Sequence, residues 1–192
     1  MNIVLFGMPG SGKGTQANFI KIKYNLTHIS TGDVFRENIK NNTKLGKLAK
    51  SYLDSGKLVP DKLTIKLLEK KIEENIDSKG YIFDGFPRTI DQGIHLDNFL
   101  LKKHLKINLT ISLEVDKLIL IDRILKRGVE SRRIDDQSES KIEKRFEEYN
   151  QKTSILKEFY ARQNKFFSIN GQGSINEVKN RLIMLIDKHK ND

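Results

Sequence analysis

The sequence predicts an α/β fold, in which short buried strands alternate with helices around a parallel sheet. Short apolar runs such as Ile3–Phe6 and Tyr81–Phe83 are typical of strands that are buried on both faces. Longer stretches between such runs have helical patterns, and helices that connect parallel strands cover both faces of a sheet. Ligands of such folds bind at the carboxyl ends of the strands, so the segments that follow the strands are the first candidates for a site.

In the first half of the chain, the strand Ile3–Phe6 is followed by a helix at about Lys13–Tyr24, which carries Phe19 and Ile20 on its inner face. Thr27–Ser30 is the second short strand, and Tyr81–Phe83 is a strand that ends at Asp84. Three helices are predicted between these two strands, at about Gly32–Lys40, Lys44–Ser55 and Asp61–Glu74, the last of them opened by the start signals Pro60 and Asp61.

The second half of the chain continues the alternation with the strand Ile107–Leu113 and a helix at about Lys117–Lys126. Ser138–Asn164 is predicted as one long amphipathic helix. The strand Phe166–Ile169 and a closing helix at about Ser174–Lys188 complete the series. We therefore expect a five-stranded parallel sheet that is flanked by helices and joined by right-handed crossovers.

The size and composition of the chain favour a single domain. With 192 residues and a hydrophobic fraction of 37%, it can bury one substantial core. No apolar run approaches the roughly 20 residues of a membrane span, and the N-terminus lacks the features of a signal peptide. The absence of cysteine excludes disulfides, thiolate metal sites and thiol catalysis. We expect a cytoplasmic protein without a membrane partner.

The formal charge of +10 is compatible with a nucleic-acid partner, an anionic small substrate, or neither. Nucleic-acid binding would favour basic residues clustered with aromatic groups, whereas the lysines here are scattered through helical segments, as at Lys102 and Lys103. A solvated lysine-rich surface explains them best, and we expect no nucleic-acid partner. Several arginines, by contrast, fall inside the motif segments described below.

A glycine-rich loop, Gly7–Thr15, lies between the first strand and the first helix. It meets the phosphate-loop pattern G-x-x-x-x-G-K from Gly7 to Lys13, but Gly14 occupies the usual hydroxyl position and Thr15 comes one residue later. Glycines let successive N–H groups point at phosphate oxygens, and the helix N-terminus adds partial positive charge. We expect Thr15 to serve the Mg²⁺ side. The candidates for phosphate binding in this loop are Gly10, Ser11, Gly12, Lys13, Gly14 and Thr15.

Two other interpretations of this loop are less consistent with the sequence. An ordinary glycine-rich turn would not need the lysine in its strand–loop–helix context. A dinucleotide fingerprint fits Gly12-x-Gly14-x-x-Ala17 formally, but it should begin at the strand end, several residues earlier. The expected fold is therefore an α/β domain of the P-loop NTPase type.

Five further segments narrow the class of enzyme. In chain order they are Ser30-Thr31-Gly32-Asp33-Val34-Phe35-Arg36, Gly56-Lys57-Leu58-Val59-Pro60-Asp61, Asp84-Gly85-Phe86-Pro87-Arg88-Thr89-Ile90-Asp91-Gln92, Asp122-Arg123-Ile124-Leu125-Lys126-Arg127, and Arg132-Arg133-Ile134-Asp135-Asp136-Gln137 with Arg145. Together with the loop and in this order, they resemble adenylate kinases, which are nucleoside monophosphate kinases. The resemblance runs from Met1 to about Val178 and is far more specific than any single motif.

The residue types suit that chemistry. Two nucleotides placed tail to tail repel each other by about 4 kcal/mol per pair of unit charges at 4 Å and an effective dielectric of 20. Bidentate arginines and Mg²⁺ are the available countercharges, and phosphoryl transfer depends on positioning and electrostatics. The AMP phosphate is already an anionic nucleophile, so no general base is needed. The four histidines show no catalytic or metal-ligand spacing, and we interpret them as incidental.

The resemblance implies a role for each motif residue. ATP should contact Arg123, Arg127 and Gly173 besides the loop, with Arg123 against the adenine, while Asp84 orients Mg²⁺-bound waters. Arg36 and Arg88 should hold the AMP phosphate, Gln92 should read adenine, and Arg133 and Arg145 should hold the transferring group. The expected AMP site comprises Thr31, Arg36, Lys57, Leu58, Val59, Gly85, Phe86, Pro87, Arg88, Gln92, Arg133 and Arg145. The expected catalytic set is Lys13, Asp84, Arg88, Arg123, Arg127, Arg133 and Arg145.

Structural explanations exist for some of these residues. Asp84 could cap a turn, and Arg36 and Arg123 could face solvent. Gln92 could be helix surface. Helical i,i+4 pairing could explain Arg145, and Lys144 is a rival for its role, because the spacing from Asp135-Asp136 is one residue longer than in the commonest relatives.

The resemblance also predicts how the chain is divided. We expect a single kinase domain, 1–192, with a core at 1–29, 60–126 and 137–192, an inserted helical NMP-binding region at 30–59 and a short lid at 127–136. Long-form adenylate kinases insert a small β domain in the lid, sometimes with zinc, and it cannot fit here. We expect no zinc and a short loop hinged at Gly128, which Arg132 stiffens where the family often has glycine.

The predicted function is reversible Mg²⁺-dependent phosphoryl transfer, ATP + AMP = 2 ADP, by a monomer whose partners are ATP, AMP and ADP. A UMP/CMP kinase is the nearest alternative, although such enzymes usually carry asparagine near the position of Gln92. A non-catalytic nucleotide-dependent binding module and a nucleic-acid-binding protein are weaker alternatives. The first is disfavoured by the complete set of Asp84 and arginines.

Overall fold

The computed structural model describes residues 1–131, 133–136 and 138–190, which fold around one five-stranded sheet. Its strands are β1 (Ile3–Phe6), β2 (Thr27–Ser30), β3 (Tyr81–Asp84), β4 (Leu109–Glu114) and β5 (Phe166–Asn170). They pair in parallel in the order β2-β3-β1-β4-β5. Because β1 lies between β3 and β4, the strand order reverses at its carboxyl end, where α/β sheets form a ligand crevice. The predicted fold class is confirmed.

Helices cover both faces of the sheet. They are α1 (Lys13–Tyr24), α2 (Thr31–Lys40), α3 (Lys44–Asp54), α4 (Asp61–Glu73), α5 (Ile90–Lys102), α6 (Lys117–Ser131), α7 (Glu139–Glu148), α8 (Leu156–Ala161) and α9 (Ile175–His189). A short 3₁₀ turn spans Ile134–Asp136, and a π-helix spans Tyr149–Thr153. None of the helices formed by the described residues is long and apolar enough to cross a lipid bilayer.

The core lies on both faces of the sheet because successive strand side chains point in opposite directions. Val4 and Phe6 of β1 pack with Phe83 and with residues of α4, α5 and α8. Ile3 and Leu5 pack on the opposite face, with residues of α1 and α9. All four residues of β1 are at most 3% exposed, so the sheet holds the loop that follows β1 on a rigid support.

The segment 30–59 forms a smaller unit above the sheet. Phe35 of α2 and Ala49 of α3 pack with Val59 and with Leu67 of α4 in a cluster distinct from the two main ones. Such a separate apolar cluster is what an inserted helical region needs in order to keep its own shape. The boundaries predicted for the NMP-binding region remain a prediction.

Three elements differ from the prediction. Helix α5 was not anticipated, because residues 84–92 were interpreted only as a motif. The predicted helix 138–164 is divided into α7, the π-helix and α8, since the π-helix changes the turn at Tyr149–Thr153.

The third difference concerns the expected lid. Helix α6 continues to Ser131, so Gly128 lies inside a helix rather than in a loop hinge. A Cβ at Gly128 would come within 2.7 Å of the Asp136 carbonyl oxygen, so glycine is needed there for a close approach. Arg132, which was expected to stiffen the lid, and Gln137 lie outside the described residues.

Candidate functional site

The glycine-rich loop connects β1 to α1 and encloses the amino group of Lys13. Gly7, Gly10 and Gly12 have φ values of 140°, 84° and 94°, which residues with a side chain rarely adopt. Lys13 Nζ donates hydrogen bonds to the carbonyl oxygens of Gly7 at 2.6 Å and Met8 at 3.1 Å. The loop thus holds a cation at the N-terminus of α1, where the helix dipole also favours an anion.

The position of the Lys13 ammonium group disfavours its charged form. Burial lowers its pKa to about 8, and the nearby Asp84 carboxylate opposes the shift while Arg88, Arg127 and Arg145 add to it. A phosphate group beside Lys13 would stabilise the charged form. The electrostatics of the loop therefore favour an anionic ligand.

Asp84 stands at the carboxyl end of β3, opposite Ser30 of β2 in the sheet register. Burial alone would raise its pKa, but the neighbouring His28 ring and the charges of Lys13 and Arg88 lower it overall. His28 Nε2 lies 3.5 Å from Asp84 Oδ2. His28 therefore lies beside the carboxylate and lines the same cavity as Asp84, a position that the interpretation of all four histidines as incidental did not anticipate.

The residues present fit a nucleotide-bound Mg²⁺ ion. Asp84 and Thr15 both line one cavity, which lies at the carboxyl ends of the strands, and Asp84 is ionised. Within residues 1–131, 133–136 and 138–190, no three His, Cys, Asp or Glu side chains form a metal-binding group. A single carboxylate suits Mg²⁺, which usually retains several waters and binds through substrate phosphates.

Arg88 is held by one hydrogen bond of its guanidinium group and two hydrogen bonds of its own backbone. Its Nε donates to the carbonyl oxygen of Gly85 at 2.9 Å, and its own carbonyl accepts from Thr153 Oγ1 at 3.0 Å. Its backbone N–H donates to Gln92 Oε1 at 2.7 Å. Burial, followed by the charge of Arg145, lowers the Arg88 pKa to about 10. The guanidinium group thus donates to a neutral oxygen, while Thr153 and Gln92 hold the backbone of the same residue.

Two other arginines converge on a single buried carboxylate, that of Asp136, which has no exposed side-chain surface. Arg127 donates to it through Nε at 2.7 Å and Nη2 at 3.0 Å, and Arg145 through Nη1 at 2.5 Å. Burial would raise the Asp136 pKa, but these contacts lower it overall. Arg145 lines the cavity, whereas Lys144 is exposed and is not on the cavity wall. The geometry favours Arg145 over Lys144.

Asp33 lines the cavity and contacts arginines from two different segments of the chain. Its Oδ1 accepts from Arg36 Nη2 at 2.5 Å and from Arg133 Nη2 at 3.3 Å. Arg36 belongs to α2 and Arg133 follows α6, so this ion pair connects the region 30–59 to the expected lid. The Asp33 side chain is 56% exposed, so the connection is readily broken by solvent or a ligand.

A cavity of about 390 Å³ lies at the carboxyl ends of the strands and collects most of the predicted site. The predicted residues on its wall are Gly10, Gly12, Lys13, Gly14, Thr15, Arg36, Leu58, Asp84, Gly85, Pro87, Arg88, Arg127, Arg133 and Arg145. The predicted residues that do not line it are Ser11, Thr31, Lys57, Val59, Phe86, Gln92, Arg123 and Gly173.

The residues off the wall are placed in two ways. Ser11, Thr31, Val59, Phe86 and Gln92 are buried, and Thr31 Oγ1 donates at 2.9 Å to the carbonyl oxygen of Gly85, which is a wall residue. The interpretation of Gln92 as helix surface is wrong, because Gln92 is only 1% exposed.

Arg123, Gly173 and Lys57 are not buried. Arg123 Nη1 donates to the Gly171 carbonyl at 3.4 Å, just beyond β5, and Gly173 follows with a φ of 100°. Arg123 therefore has a specific backbone partner rather than a purely solvent-facing position. Lys57 is exposed.

Sequence reasoning missed several residues of the cavity, notably His28, Tyr149 and Thr153. Tyr149 and Thr153 are the first and last residues of the π-helix between α7 and α8, and π-helical turns are frequent at functional sites. For His28 a signal existed: it lies two residues before Ser30 on a strand whose carboxyl end leads into a motif.

Comparison with known proteins agrees with this geometry. The sequence profile of the family described as "Adenylate kinase" matches residues 5–165. An adenylate kinase of Flavobacterium psychrophilum is 56% identical over 97% of this chain and 98% of its own length. That of Flavobacterium johnsoniae is 51% identical over the same shares, and that of Bacteroides thetaiotaomicron is 46% identical over 98% of this chain and 99% of its own. The chain belongs to the adenylate kinase family.

Proposed function

We propose that this chain catalyses the reversible Mg²⁺-dependent transfer of a phosphoryl group from ATP to AMP, giving two ADP. Family membership supports the activity, and one observation carries it in this molecule. A single cavity brings together the phosphate-loop Lys13, the ionised Asp84 and arginines from both sides of the crevice. That arrangement suits two phosphate chains placed end to end, because each additional phosphate charge requires a nearby cation.

The position of each residue indicates which nucleotide it binds. Lys13 and the loop N–H groups bind the ATP phosphates, while Arg88 and Arg36 hold the AMP phosphate. An AMP oxygen then attacks the terminal phosphorus of ATP, and the bond to the ADP leaving group breaks. AMP already carries the nucleophilic oxyanion, so no side chain has to accept a proton. When bound, Mg²⁺ supplies positive charge to the ATP phosphates, with Asp84 and Thr15 beside them.

Arg127, Arg133 and Arg145 neutralise charge as it moves between the two nucleotides. Their guanidinium groups contact the carboxylates of Asp136, Asp135 and Asp33. A phosphate that enters the cavity competes with these carboxylates for the same donors. Closure of the lid region 127–136 and the NMP-binding region 30–59 over the nucleotides would then exclude water from the reacting phosphate.

The choice of AMP over pyrimidine monophosphates rests on Gln92, whose amide can both donate to and accept from a base. Its Oε1 accepts from the backbone N–H of Arg88, and because the side chain is buried and off the cavity wall, we infer that the base reaches it when the NMP-binding region 30–59 moves. A cytoplasmic location and a monomeric state remain predictions from the family resemblance.

A coupled assay with purified protein tests the proposal, using ATP with AMP, CMP or UMP. We expect ADP formation with AMP and values of kcat/KM for CMP and UMP lower by orders of magnitude, because a site built to pair polar groups rejects mispaired bases. Preparations of Lys13→Met control for contaminating kinases. A lack of ADP from ATP and AMP would falsify the proposal. ATP-dependent partner binding without turnover would instead support a binding module.

A further inference from the structure

The side-chain amide of Gln92 is bonded on both of its polar atoms. Its Oε1 accepts from the backbone N–H of Arg88 at 2.7 Å, and its Nε2 donates to Asp61 Oδ1 at 2.7 Å. Gln92 is only 1% exposed, so water cannot easily replace either contact. The two partners come from different directions, Asp61 from the first residue of α4 and Arg88 from the segment that follows β3.

These two partners permit only one orientation of the amide. An ionised carboxylate has no hydrogen to donate, so only the amide nitrogen can face Asp61. A backbone N–H cannot accept, so only the amide oxygen can face Arg88. Turning the amide over would place two acceptors together at Asp61 and two donors together at Arg88, and each buried mismatch is costly.

Asp61 is itself held in place. Its second oxygen, Oδ2, accepts from Thr89 Oγ1 at 2.7 Å, and the same Thr89 oxygen accepts from the backbone N–H of Gln92 at 3.2 Å. Thr89 is the N-cap of α5, so the carboxylate of Asp61 is tied to the first turn of the helix that carries Gln92. Asp61 therefore holds the side-chain amide of Gln92, and Thr89 holds the backbone N–H of the same residue.

We propose that Asp61 is a specificity-determining residue, which acts by fixing the orientation of the Gln92 amide toward the base of the monophosphate. This rests on the proposed function, in which Gln92 reads that base. After its two internal bonds, the amide retains one hydrogen on nitrogen and one lone pair on oxygen. The positions of this donor and this acceptor cannot be exchanged while residue 61 is a carboxylate.

That fixed order distinguishes two kinds of purine. Adenine offers an acceptor at N1 and a donor at its 6-amino group, which match the remaining hydrogen and lone pair. Hypoxanthine offers a donor at N1 and an acceptor at O6, so both contacts would be mispaired. A glutamine free to rotate could serve either base, whereas the fixed one accepts only the adenine pattern. Sites that bond a substrate in this way discriminate far more strongly than apolar pockets do.

The test compares kcat/KM for AMP and for inosine monophosphate, which differ at the 6-position, in wild-type protein and in Asp61→Asn. The new amide can turn either face toward Gln92, so only the Arg88 N–H still opposes the reversed orientation. We expect the ratio of inosine monophosphate to AMP activity to rise about tenfold, as for one buried hydrogen bond. Asp61→Ser, whose hydroxyl also donates or accepts, is the second variant and should shift the ratio in the same direction.

Glu69→Gln is the matched control. Glu69 of α4 contacts His95 of α5 at 2.8 Å, so this change weakens a contact between the same two helices without touching Gln92. It should leave the ratio unchanged. Equal losses with both nucleotides in Asp61→Asn and Asp61→Ser, at a constant ratio, would overturn the proposal, as would wild-type protein that uses inosine monophosphate within threefold of AMP. Wild-type protein inactive with AMP would instead refute the proposed function.

Discussion

The cations of the cavity are held in two different ways. Lys13 and Arg88, here called the core cations, donate to the neutral carbonyl oxygens of the loop and of Gly85. The arm cations, which are Arg36, Arg127, Arg133 and Arg145, bind carboxylates of Asp33, Asp135 and Asp136. The core cations follow strands of the rigid sheet, whereas the arm cations lie on the region 30–59 and near the expected lid.

This difference suggests two roles. The pKa values of both core cations are lowered by burial, to about 8 for Lys13 and about 10 for Arg88, so an arriving phosphate stabilises their charge directly. The arm cations already have partners, and they must exchange a carboxylate for a phosphate. Phosphate binding by the arm cations is therefore linked to movement of the segments that carry them. The core cations can bind a phosphate without such a movement.

The largest effect should follow removal of the core cation that holds the attacking AMP phosphate. Arg88→Ala should lower kcat by at least about 10³, because it removes a fixed charge that stabilises the transition state. Steady-state kinetics with ATP and AMP measure this. A fall of less than tenfold would show that Arg88 has been assigned the wrong role.

For the arms, the buried carboxylate should matter for stability. Asp136→Asn should lower the free energy of unfolding by about 3 kcal/mol, because Arg127 and Arg145 lose the charge that compensates them. Asp33→Asn is the matched comparison on an exposed carboxylate and should cost less than about 1 kcal/mol. Urea denaturation of both variants measures the difference, and equal losses would refute the distinction between the two carboxylates.

Positioning of a core cation should have a smaller effect than its removal. Thr153→Val removes the hydrogen bond to the Arg88 carbonyl without changing the shape of the side chain. We expect kcat to fall about tenfold with KM for ATP nearly constant, since one buried hydrogen bond is lost. Thr153→Ser keeps the hydroxyl and should restore most of the rate. If the serine variant is as slow as the valine variant, the hydroxyl does not position Arg88.

The smallest effect is a pH dependence. Because the Lys13 pKa is lowered to about 8, the free protein loses this cation as the pH rises through that value. The value of kcat/KM for ATP, which reports the free enzyme, should fall about threefold between pH 7.5 and 8.5. Bound phosphates raise the Lys13 pKa again, so kcat at saturation should stay constant over this range. A flat profile of kcat/KM up to about pH 9.5 would contradict the prediction.

Most of the fold could be predicted from local patterns, because each strand is a short apolar run between helical stretches. Helix α5 is instructive: Thr89 caps it, and Asp91 lies in its first turn, so a start signal was present inside a segment interpreted only as a motif. The π-helix could not be predicted, because Tyr149–Thr153 would suit an ordinary helix as well. Its turn accompanies a contact from Thr153 to Arg88, 65 residues away in the chain.

The residues of the candidate site also fall into those that the sequence could predict and those that it could not. Residues of the loop and of the segment 84–88 follow strands directly, so sequence alone placed them at one edge of the sheet. The partners of the arm cations depend on how α6, the 3₁₀ turn and α7 pack, and no local pattern predicts that Asp136 is fully buried between Arg127 and Arg145. Asp61 was interpreted as a helix start, whereas its contacts with Gln92 and Thr89 indicate another role.

The central claim is that core and arm cations serve one cavity that holds two nucleotides at once. The most direct test is titration with a mimic that joins two adenosines through five phosphates, followed by NMR of the arginine side chains. We predict one mimic per chain and perturbed Nε–H signals from both Arg88 and Arg133. Failure to bind, or binding that leaves either signal unchanged, would contradict the account.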